Sequence, residues 1–224
     1  TAGATGQMFN AISPGNFDGP SLGFLGGAKI HSSQATGTPI STALPKGTPT
    51  WGMGYKEGLE EWYGHSMKIS ITTTCQSYRD IYLDLDPNYN DHRGLPLLRM
   101  TFNWKENELK LQQHLKGIVG NIAKELNPDS MSMSFLPMGA DFDLTKYVST
   151  HNVGGAVMGD NPKTSALNKY LQSWDVHNVF VPGGNAFPQN FQANPTDTIG
   201  AITLMAAQAI KDQYLKNPGP LVQA

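Results

Sequence analysis

The chain has 224 residues, enough to bury a substantial core, with 39% hydrophobic and only 15% charged residues. That balance excludes a coiled coil and a polyelectrolyte-like disordered chain, while 24 glycines and 15 prolines point to many loops. A formal net charge of −2 gives no general attraction to phosphate, so neither nucleic acid nor a membrane surface is favoured as a partner.

In chain order, Thr1 to Gly54 reads as a long irregular segment, with Gly, Pro, Ser and Thr between short apolar pieces such as Leu22, Phe24 and Leu25. Tyr55 to His65 has helical composition, with Leu59 and Trp62 on one side. Lys68 to Thr74 alternates Ile69 and Ile71 with polar neighbours, as a half-buried strand does. Ile81, Leu83 and Leu85 repeat that period. Leu98, Met100, Phe102 and Trp104 repeat it again after the polar turn Asn88 to Pro96, which predicts an antiparallel hairpin. Asp84 and Asp86 then share its solvent side.

From Lys105 the period becomes helical through Leu111, Leu115, Ile118, Val119, Ile122 and Leu126, and Asn127-Pro128 ends it. Met131, Met133 and Phe135 alternate with serines as a further strand, with the methionines as core filler. A strand over Asn178 to Val181 and a helix over Thr198 to Leu215 complete the order. The fold class expected is α+β: a mainly antiparallel sheet covered by helices, with a C-terminal strand-helix unit that docks on an α/β domain.

Cys75 is the single cysteine, so an intramolecular disulfide and a four-cysteine metal site are impossible within this chain. Following a Thr-rich strand, it reads as a small buried residue rather than a nucleophile. The histidines at 31, 65, 92, 114, 151 and 177 form no H-E-x-x-H spacing, and no metal site is expected. A G-x-S-x-G elbow and a P-loop are both absent. The start TAGATGQMFN has neither an initiating Met nor the build of a secretory leader, and no run reaches the roughly eighteen apolar residues of a membrane helix. The expectation is a mature or truncated chain.

The stretch from His151 to Ala207 carries the most chemistry. His151 leads into Gly154-Gly155, a strand ends in Gly183-Gly184, and Asn194-Pro195 directly precedes a helix. Glycine pairs let a backbone approach a ligand closely, and a helix start offers unpaired amide hydrogens to an electron-rich group. A neutral imidazole takes a hydroxyl proton near neutral pH, and a carboxamide beside it grips the same alcohol. On physical grounds alone the bland readings stay open. A histidine before a Gly-Gly turn is more commonly a capping or packing residue, and an asparagine there a helix cap.

Taken together, HNVGGAVMG from His151 to Gly159, Val179-Phe180-Val181 with Gly183-Gly184-Asn185, and Asn194-Pro195-Thr196-Asp197-Thr198 closely resemble the C-terminal signature of the glucose-methanol-choline (GMC) oxidoreductases. Ala186-Phe187-Pro188-Gln189-Asn190 further resembles the branch that holds the flavoprotein subunits of gluconate 2-dehydrogenases and the fructose and sorbitol dehydrogenases. The resemblance implies FAD as cofactor, His151 and Asn194 as the catalytic pair, and Gly183, Gly184, Asn185, Pro195 and Thr198 as cofactor-binding positions. It implies oxidation of a secondary alcohol of a sugar acid, gluconate first. The alternatives are fructose, sorbitol or another polyol as substrate, or a flavin-free carbohydrate-binding module. A cytochrome c subunit, a small subunit and a periplasmic, membrane-associated location are implied on the same basis.

Such enzymes bind FAD through an N-terminal Gly-x-Gly-x-x-Gly turn, which this sequence lacks. Gly3-Ala4-Thr5-Gly6 has the wrong spacing, and Gly52-Met53-Gly54 has no third glycine. The expectation is the C-terminal part of a longer enzyme whose N-terminal FAD domain lies elsewhere. Residues 1–150 would be a substrate-binding domain with an irregular start. Residues 151–224 would be the signature segment that completes the FAD and active site.

Overall fold

The computed structural model of the chain describes residues 7–12, 20–34, 44–146 and 151–222, with the main chain alone at 7–12, 20, 33 and 34. Its elements, in chain order, are β1 (Gln7–Ile12), β2 (Ala28–Gln34), α1 (Gly52–Trp62), β3 (Met67–Thr73), β4 (Tyr82–Asn90), β5 (Pro96–Thr101), α2 (Glu106–Leu126) and α3 (Thr196–Ala209). Helices accompany two short antiparallel sheets, so the fold is α+β. The chain forms two compact units, each built from two segments: Thr1–Thr73 with Lys105–Ala140, and Thr74–Trp104 with Asp141–Ala224. These packing units cut the chain differently from the functional division expected at residue 150, which they do not test.

In the first unit, three antiparallel strands lie in the order β1-β2-β3. Ile30 pairs with Ile71 and Ser32 with Ile69, so the apolar stripe of β3 meets that of β2. The amphipathic α2 turns Leu111, Leu115 and Val119 inward to pack with Phe24, Ala28 and Ile30. An Asn107 carboxamide braces this packing, accepting from Leu25 N at 2.7 Å and donating to Leu25 O at 3.1 Å. Lys110 and Glu106 form an i,i+4 pair at 2.8 Å on the first turns of α2. Asn127, in the left-handed region at φ 46°, ends that helix immediately before Pro128, where the sequence places the stop.

Three expectations need correction here. The stretch read as irregular contains β1 and β2; β2 was obscured because Ile30 is its one large inward side chain, the others being Ala28 and Ser32. Residues 131–135 form no strand, and Met131 and Met133 are exposed rather than core filler. A hydrogen-bond pair from α2, Gln113 Nε2 to Leu136 O at 2.6 Å and Leu136 N to Gln112 Oε1 at 3.3 Å, supports that segment in place of a ladder. The first helix begins at Gly52, three residues before its apolar pattern.

The second unit opens with the expected hairpin, closed at Asp91, whose Oδ1 accepts from Arg93 N at 2.8 Å and Leu95 N at 2.9 Å. Asp84 lies opposite Arg99, whose Nε donates to Oδ1 at 2.8 Å; this bond holds the Asp84 carboxyl below the usual carboxylate range. On the other face Leu83 pairs with Met100 and Leu85 with Leu98, all four exposed. Regular pairing stops at Thr101. Phe102 and Trp104 leave the strand for an edge-to-face cluster with Phe142, at centroid distances of 4.7 Å and 5.8 Å from that ring.

Beyond residue 151 there is little regular structure before α3, yet the segment has its own core of Leu167, Leu171, Ala186 and Ala206. The strand expected at Asn178 to Val181 is a single bridge between Gln172 and Phe180. A buried carboxamide pair replaces a sheet. Asn168 Nδ2 donates to Gln172 Oε1 at 3.1 Å, and Gln172 Nε2 donates to His177 O at 2.6 Å and Gly219 O at 2.8 Å. Leu221 N adds a bond to Gln172 Oε1 at 2.8 Å, so the C-terminal turn is tied to the middle of the unit. Helix α3 starts two residues earlier than expected and passes at its end into a π-helical turn, Ile210–Tyr214.

These contacts set two stability expectations, both read by urea unfolding. Leu115→Ala, at a site with no solvent exposure, should cost about 2–5 kcal/mol. Gly117→Ala, on the exposed side of α2 with nothing within 4 Å of the added carbon, should stabilise by about 0.5–1 kcal/mol. A Leu115→Ala midpoint indistinguishable from wild type would contradict the assigned core.

Candidate active site

The site grows from a main-chain ladder. Gly154 N donates to Gly184 O at 2.9 Å, Ala156 N to Asn185 O at 3.0 Å and Met158 N to Ala186 O at 2.8 Å, so the His151 segment runs beside the Gly183-Gly184 turn. Helix α3 closes the other side. A carbon added to Gly184 would lie 3.1 Å from Ile199 Cδ1 and 3.2 Å from Val153 Cγ1. Ile199 is on the first turns of α3, its N–H bonded to Pro195 O at 2.9 Å, and Val153 follows His151 by two positions. Three motifs far apart in sequence therefore meet beside one α-carbon, where an added side-chain carbon would be in tighter than ordinary contact.

Gly183 is constrained differently. Its φ of 133° is one that side chains rarely adopt, and an added carbon would sit 2.7 Å from Asn185 Oδ1. Asn185 in turn holds the turn closed by donating Nδ2 to Val181 O at 3.1 Å. All three turn residues are half-buried.

His151 is half-buried, and its carbonyl accepts a bond from Asn190 Nδ2 at 2.9 Å. Asn194 is exposed and makes no hydrogen bond among the described residues. It does not cap α3, because the position flanking the first turn is Pro195, which has no capping side chain. Pro195 is buried, and Thr198 is exposed on the first turn of the helix. The first-turn amides of α3 have no intrahelical acceptor, so they remain available to an electron-rich group, although Asp197 already places a carboxylate there.

Two other reactive side chains have surroundings of their own. Cys75 is half-buried and bridges by its main chain to Asn190. His31, on the sheet of the first unit, is held below its ordinary pKa by burial and then by Lys29 and Lys68. Among the described residues no three His, Cys, Asp or Glu side chains gather as a metal ligand set, and no helix is long and apolar enough to cross a membrane.

The family model for GMC oxidoreductases matches residues 80–203, more than half of the chain, and spans every segment of the site. The chain belongs to the GMC oxidoreductase family. Its relatives in this family include the gluconate 2-dehydrogenase flavoprotein of Pantoea cypripedii, 47% identical over the whole chain, which covers 36% of that protein. The 2-methyl-1,2-propanediol dehydrogenase of Mycolicibacterium austroafricanum is 26% identical over 86% of the chain and 34% of its own length. The fructose dehydrogenase large subunit of Gluconobacter japonicus is 28% identical over 57% of the chain and 22% of its own. The chain thus spans about a third or less of the length of these relatives.

Asn190 carried no assigned role in the sequence reading, although the string Phe187-Pro188-Gln189-Asn190 stood out there. Its bond to His151 is invisible in a sequence because 39 positions separate the two.

If Gly184 is the point where the GMC segments meet, Gly184→Ala should overpack it and cost about 1–3 kcal/mol by urea unfolding. The complete flavoprotein carrying the change should also retain less flavin, read as visible absorbance against protein. Full stability with full flavin content would show that the space around Gly184 is not limiting.

Proposed function

We propose that this chain is the catalytic C-terminal segment of an FAD-dependent dehydrogenase that oxidises a secondary alcohol of a sugar acid, with gluconate as the substrate. The observation that carries this reading is the junction at Gly184, where the segments bearing His151 and Asn194 meet a glycine turn. Identity of 47% along the whole chain to a gluconate 2-dehydrogenase flavoprotein supports the choice of substrate.

The residues present fit a flavin. Gly183 and Gly184 carry no side chain of their own over the turn, and the first turn of α3 presents amides without intrahelical acceptors beside buried Pro195. Gly183, Gly184, Asn185, Pro195 and Thr198 would hold the cofactor. When bound, FAD supplies the acceptor for the hydride that leaves the carbinol carbon.

His151 takes the hydroxyl proton at a ring nitrogen as the alcohol becomes a carbonyl, which requires the neutral imidazole. Asn194, with its carboxamide uncommitted, donates to the same oxygen and fixes the direction of the C–H bond. Half-burial of His151 limits the water that competes for its proton.

The fructose and 2-methyl-1,2-propanediol dehydrogenases among the relatives support a second reading, in which another sugar or polyol is oxidised by the same pair. The proposal extends to a small subunit and a cytochrome c subunit as electron-transfer partners at the periplasmic side of a membrane. Here the support is family resemblance, together with the subunit naming of the fructose dehydrogenase.

In the complete flavoprotein, His151→Ala should lower turnover by about a hundredfold or more with flavin still bound. A panel of gluconate, fructose, sorbitol and a 1,2-diol, assayed with an artificial electron acceptor, should give the highest kcat/KM for gluconate. Unchanged turnover in His151→Ala removes the base assignment, and a preference for a neutral polyol moves the substrate to the second reading. A colourless complete protein that still binds sugar would replace both with a flavin-free binding module.

A further inference from the structure

The main chain of Asn190 is locked from both sides: Cys75 N donates to Asn190 O at 3.2 Å and Asn190 N to Cys75 O at 2.9 Å. Ser77 Oγ donates to Pro188 O, so the turn leading to Asn190 is held against the same stretch of chain. From this fixed base the side chain reaches the His151 carbonyl, with Nδ2 donating at 2.9 Å. That bond assigns the amide orientation, because a carbonyl oxygen accepts and does not donate. The other end, Oδ1, is buried and has no partner among the described residues.

A side chain that serves only its own turn bonds a few residues away, as Asp86 does to Asn88 N and Asp91 to Leu95 N. Asn190 instead spans 39 positions to one residue, at the expense of an unpaired buried acceptor. The residue it reaches is followed by Gly154 and Gly155 at φ 91° and 109°, positions that hold the main chain weakly by themselves. A bond at the His151 carbonyl fixes the peptide plane from which the imidazole projects. Displacement of a reacting group by about 1 Å costs about a hundredfold in rate, so small rotations of that plane matter.

We infer that Asn190 is a positioning residue for His151, its carboxamide fixing the main chain that sets the distance of the imidazole from the alcohol oxygen. The inference rests on the reading of His151 as the base. It assigns Asn190 no contact with substrate or cofactor.

The test is a double-mutant cycle in the complete flavoprotein, with turnover, KM and flavin absorbance measured at neutral pH. Asn190→Ala should lower kcat by about tenfold with KM within about twofold and flavin retained. In a His151→Ala background the same change should alter kcat by less than about twofold, because the group being positioned is gone. Asn190→Asp keeps the shape and removes the donor, and it should match Asn190→Ala; it also carries the test should the alanine variant not fold. Unchanged kcat in either folded variant overturns the inference, as does an equal loss in the presence and absence of His151. A His151→Ala enzyme with wild-type turnover would instead sink the base reading itself, which the single variant reports separately.

Discussion

Close approach at Gly184 is the constraint on which the rest of the second unit depends. A carbon added there would meet both Val153 and Ile199, at 3.2 Å and 3.1 Å, closer than ordinary van der Waals contact. One flank leads back to His151, and the other leads to Pro195 and Asn194. The carbonyl of the same glycine accepts from Gly154 N at 2.9 Å, so the contact is locked by hydrogen bonding as well as by packing. A larger residue would push apart the segments that carry His151 and Asn194.

Irregular chain needs other means of staying rigid, since backbone groups outside a ladder must still find partners. Gln172 supplies much of this, with both ends of its fully buried amide engaged by His177, Gly219, Leu221 and Asn168. Next to it Leu171 is held at a φ of 60°, an uncommon state for a branched side chain, with no exposure. Bonds from Leu171 N to Asn168 O and from Val181 N to Leu171 O, each 2.9 Å, hold it in that state. Such strain survives only where surroundings over-determine the conformation. The chain around Leu171 and Gln172 is therefore held in one conformation without a sheet.

Much of this is legible in the amino-acid sequence. Helix α2 declared itself through Leu111, Leu115 and Val119 and through its Asn127-Pro128 stop, because a long amphipathic pattern has one consistent solution. The hairpin followed from alternation across a polar turn. Strand β2 did not, since Ala28 and Ser32 fill inward positions that carry no apolar signal. Met131 and Met133 alternate like a strand yet find no partner edge, and alternation specifies a face only where a neighbour exists to pair with it. In the candidate site, the motifs around His151, Gly184 and Asn194 were visible as strings, whereas their meeting at one glycine was not. Asn190 escaped altogether, because nothing local distinguishes a carboxamide that reaches a distant carbonyl from one that closes its own turn.

The central claim is that His151 and Asn194 share one alcohol oxygen. The most direct measurement is a crystal structure of the complete flavoprotein with gluconate or its oxidation product bound. The account predicts a ring nitrogen of His151 and the amide nitrogen of Asn194 each within about 2.6–3.2 Å of a single substrate oxygen. Substrate bound with only one of the two in reach, or with both turned to separate compartments, would contradict it.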